Sequence, residues 1–235
     1  MSERNNHKLG AIAAIAGALL LFAGTFLHPL GADPNDPLAA FTEYAADPLW
    51  VTSHLMQLIG LLLMVVALLL LSRRMAGGRG SGWAYLGAVG AGASLSVAAA
   101  LQAVDGIALK VMVDSWAAAS PTEKGMLFYA AFGVRQIEVG LASILSLLLG
   151  LTVAIYGIAL VLDHNFPRWL GWLAIIGGIP TAASGIIMAY RGFSDVAMTI
   201  NMSASSLLLV WIIGLGVWMW RLAPTDNTMP NLGMK

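Results

Sequence analysis

The sequence contains no cysteine and very little charge. The absence of cysteine from all 235 residues excludes disulfide bonds, thiolate metal ligands and cysteine nucleophiles. Charged residues make up 10% of the chain, whereas a soluble domain usually carries about 25%. The formal net charge is zero, so nothing indicates a nucleic-acid partner. Because so little charge cannot cover a water-facing surface, the composition indicates an integral membrane protein.

Long apolar stretches are abundant in this chain. Hydrophobic residues make up 59% of it, and its mean hydropathy is +0.81. A helix needs roughly 20 predominantly apolar residues to cross about 30 Å of hydrocarbon. The stretches that meet this requirement are residues 9–27, 49–71, 83–104, about 139–162, 169–190 and about 200–220. The sequence therefore predicts an all-α polytopic membrane bundle in which six transmembrane helices form one domain.

Basic residues are distributed unevenly between the two sets of connecting segments. With the N-terminus inside, the inner segments hold eight basic and three acidic residues, and the outer segments hold four basic and nine acidic residues. Basic residues concentrate on the cytoplasmic side of membrane proteins. We therefore predict a multi-pass protein of a bacterial inner membrane, with both termini in the cytoplasm and an acidic outer face.

The third and fourth predicted helices are longer than the membrane is thick. Residues 120–123 have the spacing of a capping box, and the helix that they open at about residue 122 runs to residue 162. At 1.5 Å per residue, its length is roughly 60 Å, about twice the hydrocarbon thickness. We therefore expect residues 105–138 to form a helical hairpin beyond the outer surface. Residues 37–46, in the preceding outer loop, are a candidate short helix.

Polar side chains whose transfer into a membrane is energetically unfavourable cluster at the outer ends of the predicted spans. Ionisable groups in membrane helices mark functional sites by default. The candidate ligand or metal-binding residues are His28, His54, Asp105 and Glu138. The candidate contacts for an anionic or polar ligand are Arg135, Lys110, Gln57 and Gln102. The inner halves of the spans are almost entirely apolar, which weakens the interpretation as a channel or transporter.

Two histidines and two carboxylates at one level suit a bound metal. Two His with one or two carboxylates bind Zn²⁺ or non-haem iron, and two His from facing helices bind haem b. His28 and His54 are therefore the candidate metal ligands, with haem b or a divalent metal as the cofactor. No residue can be assigned a catalytic role from the sequence.

Each of these residues also has a structural interpretation. A histidine at a helix end, such as His28, is often only an interfacial residue. Arg135 with Glu138, and Lys110 with Asp114, have the spacing of ordinary ion pairs on a helix. Aromatic residues near the predicted helix ends are interpreted as interface anchors, namely Trp50, Trp83, Trp169, Trp172 and Tyr190.

Several segments resemble a known family. They are residues 104–110 (VDGIALK), 134–140 (VRQIEVG) and 166–172 (FPRWLGW), together with Leu27-His28-Pro29 and the pair Trp50 and His54. Together they resemble an uncharacterised family of six-helix bacterial membrane proteins, a domain of unknown function that is frequent in actinobacteria. The resemblance covers most of the chain. It implies six spans but no agreed activity, and it supplies no catalytic residues.

Three functions fit these observations, and the sequence does not decide whether the chain is an enzyme. The first is a binding or catalytic protein with a small-molecule or lipid ligand at its outer face. The second is a membrane subunit or chaperone that docks a membrane protein partner through the outer hairpin. The third is a small-solute transporter that uses the Gly-Gly-Ile-Pro segment 177–180 as a hinge.

Overall fold

The computed structural model describes residues 3–29 and 31–223, and in that part of the chain it is all-α. The helices are α1 (Glu3–Leu27), α2 (Pro37–Ala46), α3 (Trp50–Arg74), α4 (Ser81–Ala117), α5 (Lys124–Leu162), α6 (Arg168–Arg191) and α7 (Asp195–Arg221). All except α2 are long and apolar enough to cross a membrane. The predictions of an all-α fold and of six long apolar helices are confirmed. Asp226 and Lys235, which contribute to the predicted charge asymmetry, lie outside the described residues.

The helices extend beyond the predicted apolar spans. α7 begins at Asp195, five residues before the predicted start. The prediction counted only the apolar run, whereas the helical backbone hydrogen bonds continue through the polar residues before it. α5 begins at Lys124, not at about residue 122. Ser120 and Glu123 form a turn in which Ser120 Oγ donates to Glu123 Oε2 at 2.6 Å, and no side chain caps the first turn of α5.

The six long helices form a closed ring. Neighbours around the ring follow the order α1, α3, α4, α5, α6 and α7, and α7 packs back against α1. The largest fully buried side chains inside the ring include Leu71, Tyr156, Leu160, Trp211 and Leu215. Large apolar side chains also face outward along every long helix, among them Phe22, Leu62, Val89, Ile144, Ile176 and Val210. This surface is consistent with contact with the lipid bilayer.

Glycines allow two pairs of helices to approach closely. A Cβ atom on Gly17 of α1 would lie 2.7 Å from the carbonyl oxygen of Gly60 on α3. A Cβ atom on Gly157 of α5 would likewise lie 2.7 Å from the carbonyl oxygen of Gly171 on α6. Small residues at helix contacts permit this close backbone packing in membrane proteins. The contact of Gly17 with Gly60 fixes the rotation of α1, which precedes His28, against α3, which carries His54.

A second apolar cluster lies where α2 packs on the hairpin of α4 and α5. Its buried members are Ala40, Phe41, Tyr44, Trp50, Leu109, Val113, Trp116 and Ala131. α4 and α5 contain 37 and 39 residues, or roughly 55–60 Å of helix each, so both exceed the hydrocarbon thickness. We call this end of the molecule the hairpin end. The end that contains residues 75–80 and 163–167 is the loop end.

The short helix α2 is fixed at both of its ends. Asp36 is its N-cap, and the Asp36 Oδ1 atom accepts hydrogen bonds from the backbone N–H groups of Leu38 at 3.0 Å and Ala39 at 3.1 Å. At the other end, Lys110 Nζ donates to the carbonyl oxygens of Tyr44 at 3.0 Å and Ala45 at 3.1 Å. The helix predicted at residues 37–46 is therefore confirmed and covers the candidate site.

Candidate metal centre

Three of the predicted ligands meet at the hairpin end. His28 follows α1, His54 lies in the second turn of α3, and Asp105 lies on α4. Each offers one ligand atom, a ring nitrogen or a carboxylate oxygen, and these atoms all lie within 4.8 Å of one another. The distance from His54 Nε2 to Asp105 Oδ2 is 3.0 Å, and the centroids of the two imidazole rings are 5.0 Å apart. We call this group the His-His-Asp cluster.

Both imidazole rings are oriented by backbone carbonyl groups. His28 Nδ1 lies 2.7 Å from the carbonyl oxygen of Pro29, and His54 Nδ1 lies 2.7 Å from that of Trp50. A carbonyl oxygen only accepts, so each Nδ1 carries a proton and donates it. In the neutral imidazole, Nε2 then has a free lone pair. Histidines that bind metals usually donate their other ring N–H in this way.

Asp105 lies on a π-helical segment that interrupts α4. This segment covers Ala103–Leu109, and such segments occur frequently at functional sites. The carbonyl oxygen of Asp105 accepts a hydrogen bond from Trp50 Nε1 at 3.0 Å. Its side chain is 15% exposed, and its Oδ1 atom is buried without a hydrogen-bond partner among the described residues. A buried carboxylate oxygen is costly unless a donor or a cation satisfies it.

Gly106 allows α4 to approach His54. A Cβ atom at this position would lie 2.6 Å from His54 Cβ and 2.9 Å from His54 Cγ. Any larger residue would therefore displace the imidazole or the helix. The sequence analysis did not predict the π-helical segment. The Asp-Gly pair at the end of an apolar run is the one signal in the sequence that points to an irregularity there.

Trp50 and Tyr44 line the cluster, and neither was among the site residues predicted from the sequence. The Trp50 ring centroid lies 4.7 Å from that of His28, 4.6 Å from that of His54 and 4.2 Å from that of Tyr44. Trp50 is 1% exposed, so its interpretation as an interface anchor is wrong. Trp83, in contrast, is exposed, as an anchor requires. The carbonyl of Trp50 orients His54, and the ring centroid of Tyr44 on α2 lies 6.4 Å from that of His28.

Burial affects the protonation of His28, a member of the cluster, and of Tyr44, which lies next to it. Burial lowers the pKa of His28, and the neighbouring His54 lowers it further. Burial also raises the pKa of Tyr44 to about 12. The burial of each side chain therefore favours its neutral form at neutral pH. A neutral imidazole is the form that binds a metal.

Glu138 is not part of the His-His-Asp cluster. Arg135 Nη1 donates to both carboxylate oxygens of Glu138, at 3.0 and 2.9 Å, and both side chains are buried. Arg135 Nη2 donates to the carbonyl oxygen of Pro34 at 3.3 Å, and the guanidinium lies 5.5 Å from the ring centroid of Tyr44. The charge of Asp105 also acts on Glu138. The Arg135–Glu138 pair therefore joins α5 to the loop before α2.

The remaining candidate residues make structural contacts. Lys110 Nζ, besides its two bonds to α2, donates to Asp114 Oδ1 at 2.8 Å, so its three donors are all occupied. Gln102 Nε2 donates to Gln57 Oε1 at 3.2 Å. Gln57 lies three residues after His54 on α3. This amide pair therefore lies about one turn from the cluster, on the side away from α2.

The geometry favours a single ion over haem. The two axial ligands of a haem lie on opposite faces of the macrocycle, so the porphyrin plane would have to pass between His28 and His54. The two imidazole centroids are 5.0 Å apart, the Asp105 carboxylate lies 3.0 Å from His54 Nε2, and Trp50 packs against both rings. A metal ion bound directly by two nitrogens and one oxygen needs no such space.

Comparison with known proteins does not identify this site. No protein-family model, curated protein or solved structure matches the chain. What the site can do therefore has to be inferred from its ligand set and its surroundings.

Proposed function

We propose that this chain is a membrane protein that binds one divalent transition-metal ion, such as Zn²⁺ or Fe²⁺, through His28, His54 and Asp105. The observation that carries the proposal is the convergence of three ligand atoms from three helices within 4.8 Å. Metal–ligand distances of about 2.0–2.2 Å place two ligands of one ion about 3–4 Å apart. The 3.0 Å between His54 Nε2 and Asp105 Oδ2 fits this spacing.

Two further features support an ion in the cluster. The ring nitrogens that face away from it are bonded to backbone carbonyls, as the outer contacts of metal-bound histidines usually are. The Oδ1 atom of Asp105 has no partner among the described residues, and a cation would satisfy it. Two neutral imidazoles and one carboxylate around a divalent ion give the site a net charge of +1. This partial neutralisation lowers the desolvation free energy of the ion at a half-buried site.

Three protein ligands leave coordination positions open. Structural Zn²⁺ sites are closed by four protein ligands, whereas catalytic sites keep a position for water or substrate. An ion held by His28, His54 and Asp105 would supply Lewis-acid chemistry to a ligand in the open position, by polarising an oxygen atom or activating a water molecule.

A second candidate function needs no metal. If His54 is protonated, its Nε2–H donates to Asp105 Oδ2 at the observed 3.0 Å, and the two side chains form a buried proton-transfer pair. In this alternative His28 is only a neighbour. The alternative is favoured by the length of the His54–Asp105 contact, which suits a charge-assisted hydrogen bond as well as a shared ion.

Metal analysis of the purified protein separates the two candidates. The protein is purified in detergent with a tag that lacks histidine, incubated with Zn²⁺ or Fe²⁺ and freed of excess ion. Its metal content is then measured by inductively coupled plasma mass spectrometry. We expect about one ion per chain, and a loss of binding in His28→Ala and His54→Ala. His164→Ala is the matched control, because His164 is exposed at the loop end, where it contacts Arg79. A metal-free wild-type chain would leave only the proton-transfer pair.

We also propose that the hairpin end faces the outside of a bacterial inner membrane, with both termini in the cytoplasm. The basic excess in the segments assigned to the inside supports this orientation. Because the chain has no cysteine, single cysteines report accessibility without background. Ser120→Cys at the hairpin end and Arg79→Cys at the loop end both replace exposed residues. A membrane-impermeant maleimide should label only Ser120→Cys on intact spheroplasts, and the reverse pattern would invert the orientation.

A further inference from the structure

A cavity of about 500 Å³ lies inside the ring, bounded mainly by α1, α3 and α7. Its volume is in the range of known ligand pockets, about 300–1,000 Å³. The deep walls are apolar and buried, and they include Leu61, Met64, Val65, Leu208 and Ile212. Such a lining suits a hydrocarbon ligand.

The mouth of the cavity lies between α1 and α7. These helices touch toward the loop end, where a Cβ atom on Gly216 would lie 2.9 Å from Ile15 Cγ1. Toward the hairpin end the cavity lies between them, lined by Phe22 and Phe26 on α1 and by Met202 on α7. These three apolar side chains are 59%, 77% and 54% exposed. In a membrane-embedded ring, an opening with such a rim faces the lipid tails.

The polar part of the cavity lies toward the hairpin end, on the side of the His-His-Asp cluster. Thr25, Asn201 and Ser205 line the cavity, and Thr25 precedes His28 by three residues, or about 4.5 Å along a helix. From Asn201 to Ile212 the cavity follows eleven residues of α7, or roughly 16 Å. Its shape is therefore elongated, and its few polar groups lie toward the hairpin end among apolar residues such as Phe26 and Met198.

We propose that this cavity binds an acyl chain of a membrane phospholipid, which enters sideways between α1 and α7 and places its polar head beside the His-His-Asp cluster. The apolar walls, the elongated shape and the lipid-facing mouth all fit a linear chain and not a water-soluble ligand. The binding of the acyl chain in the cavity does not depend on a metal ion in the His-His-Asp cluster. That the head group is the ligand on which the ion acts rests on the function proposed above.

Photolabelling from within the bilayer tests the proposal. The full chain is reconstituted in phosphatidylcholine vesicles that contain a trace of lipid with a diazirine in its acyl chain, and labelled residues are located by peptide mass spectrometry. We expect label on Met64 and Leu208, which are buried in the ring and line the cavity. Ser205→Phe fills the cavity, and labelling of these two residues should fall by about tenfold or more, since clashes in packed sites weaken binding by that much.

Ser203→Phe is the matched control, because Ser203 is exposed on the same helix and does not line the cavity. In Ser203→Phe, Met64 and Leu208 should be labelled as strongly as in the wild type. If Ser205→Phe does not fold, Ala91→Leu fills the cavity from α4, and the exposed Ala93→Leu is its control. Label confined to exposed residues, or an equal effect of each filling variant and its control, would overturn the proposal.

Two measurements on the same samples keep this proposal separate from metal binding. Lipids that copurify with the chain are identified by mass spectrometry, and an isoprenoid in place of a phospholipid would overturn the assigned class. The metal content is measured in parallel. A metal-free chain that still labels Met64 would refute the metal function and retain the acyl-chain site, whereas a metal-bound chain without that label would do the opposite.

Discussion

The two ends of the molecule each hold a carboxylate beside a histidine, and they use it differently. At the loop end, Asp163 is 7% exposed, and its Oδ1 accepts hydrogen bonds from Asn165 N at 2.8 Å and Asn165 Nδ2 at 3.0 Å. Both donor atoms belong to Asn165, two residues further along the chain, so the carboxylate stabilises a local turn. The adjacent His164 is exposed.

At the hairpin end, the partners of Asp105 come from another helix. Its Oδ2 contacts His54, which is 51 residues away in the sequence, and its Oδ1 has no partner among the described residues. A buried carboxylate oxygen that its own turn satisfies has no free acceptor for a ligand, whereas one held between helices without a partner can accept from a ligand or cation. Burial alone therefore does not distinguish a candidate site from a turn. The distinction lies in how far apart in the sequence the carboxylate and its partners are, and in whether both of its oxygens have a hydrogen-bond partner.

The largest expected effect concerns the charged residues of the two ends. Arg135→Met leaves the buried carboxylate of Glu138 without its partner, and removing one member of a buried pair costs about 3–5 kcal/mol of unfolding free energy. Arg79→Met at the loop end removes an exposed side chain and should change stability by less than about 0.5 kcal/mol. Unfolding in detergent, followed by circular dichroism, measures both. Equal stability of the two variants would contradict the burial of the Arg135–Glu138 pair.

The second effect tests the two carboxylates directly. Asp105→Asn removes the charged ligand and should weaken metal binding by at least about 100-fold. Asp163→Asn keeps a side-chain oxygen for the turn and should leave the affinity unchanged. Competition with a metal-sensitive dye gives both affinities. If the two variants bind equally well, Asp105 is not a ligand and the distinction between the ends disappears.

The third effect sharpens the comparison within α4. Gly106→Ala places a methyl group against His54 and should destabilise the protein by about 1–3 kcal/mol, with weaker metal binding. Gly92→Ala, on the same helix, meets no atom within 4 Å. It should be neutral or stabilise the protein by up to about 1 kcal/mol, because alanine favours the helix. Thermal unfolding and metal titration measure the pair, and a harmless Gly106→Ala would refute the close contact.

The smallest effect concerns α2, which covers the cluster. Asp36→Ala removes two capping hydrogen bonds and should cost about 1 kcal/mol. Ser194 is the N-cap residue of α7, but its hydroxyl makes no cap bond and has no partner among the described residues. Ser194→Ala should therefore be neutral or slightly stabilising. Hydrogen exchange of the α2 amides should rise in Asp36→Ala alone, and a rise in both variants would argue against the cap.

The sequence by itself determined the helices and the level of their polar residues. In lipid every backbone polar group must be satisfied within the segment, so a long apolar run can only be a helix. The positions of His28, His54 and Asp105 along their helices follow from a fixed rise per residue. Their common level, the length of α4 and α5 and the short helix α2 were therefore predictable from contiguous residues.

Tertiary structure decided which of those residues meet. Contact between helices depends on their rotation and spacing, which close approaches such as that of Gly17 to Gly60 determine. Asp105 therefore reaches His54 on another helix. The Arg135–Glu138 pair, in contrast, lies within one helix and follows from the sequence spacing. The π-helical segment of α4 and the burial of Trp50 likewise depend on distant packing. No local pattern encodes them, because the partners lie far apart in the chain.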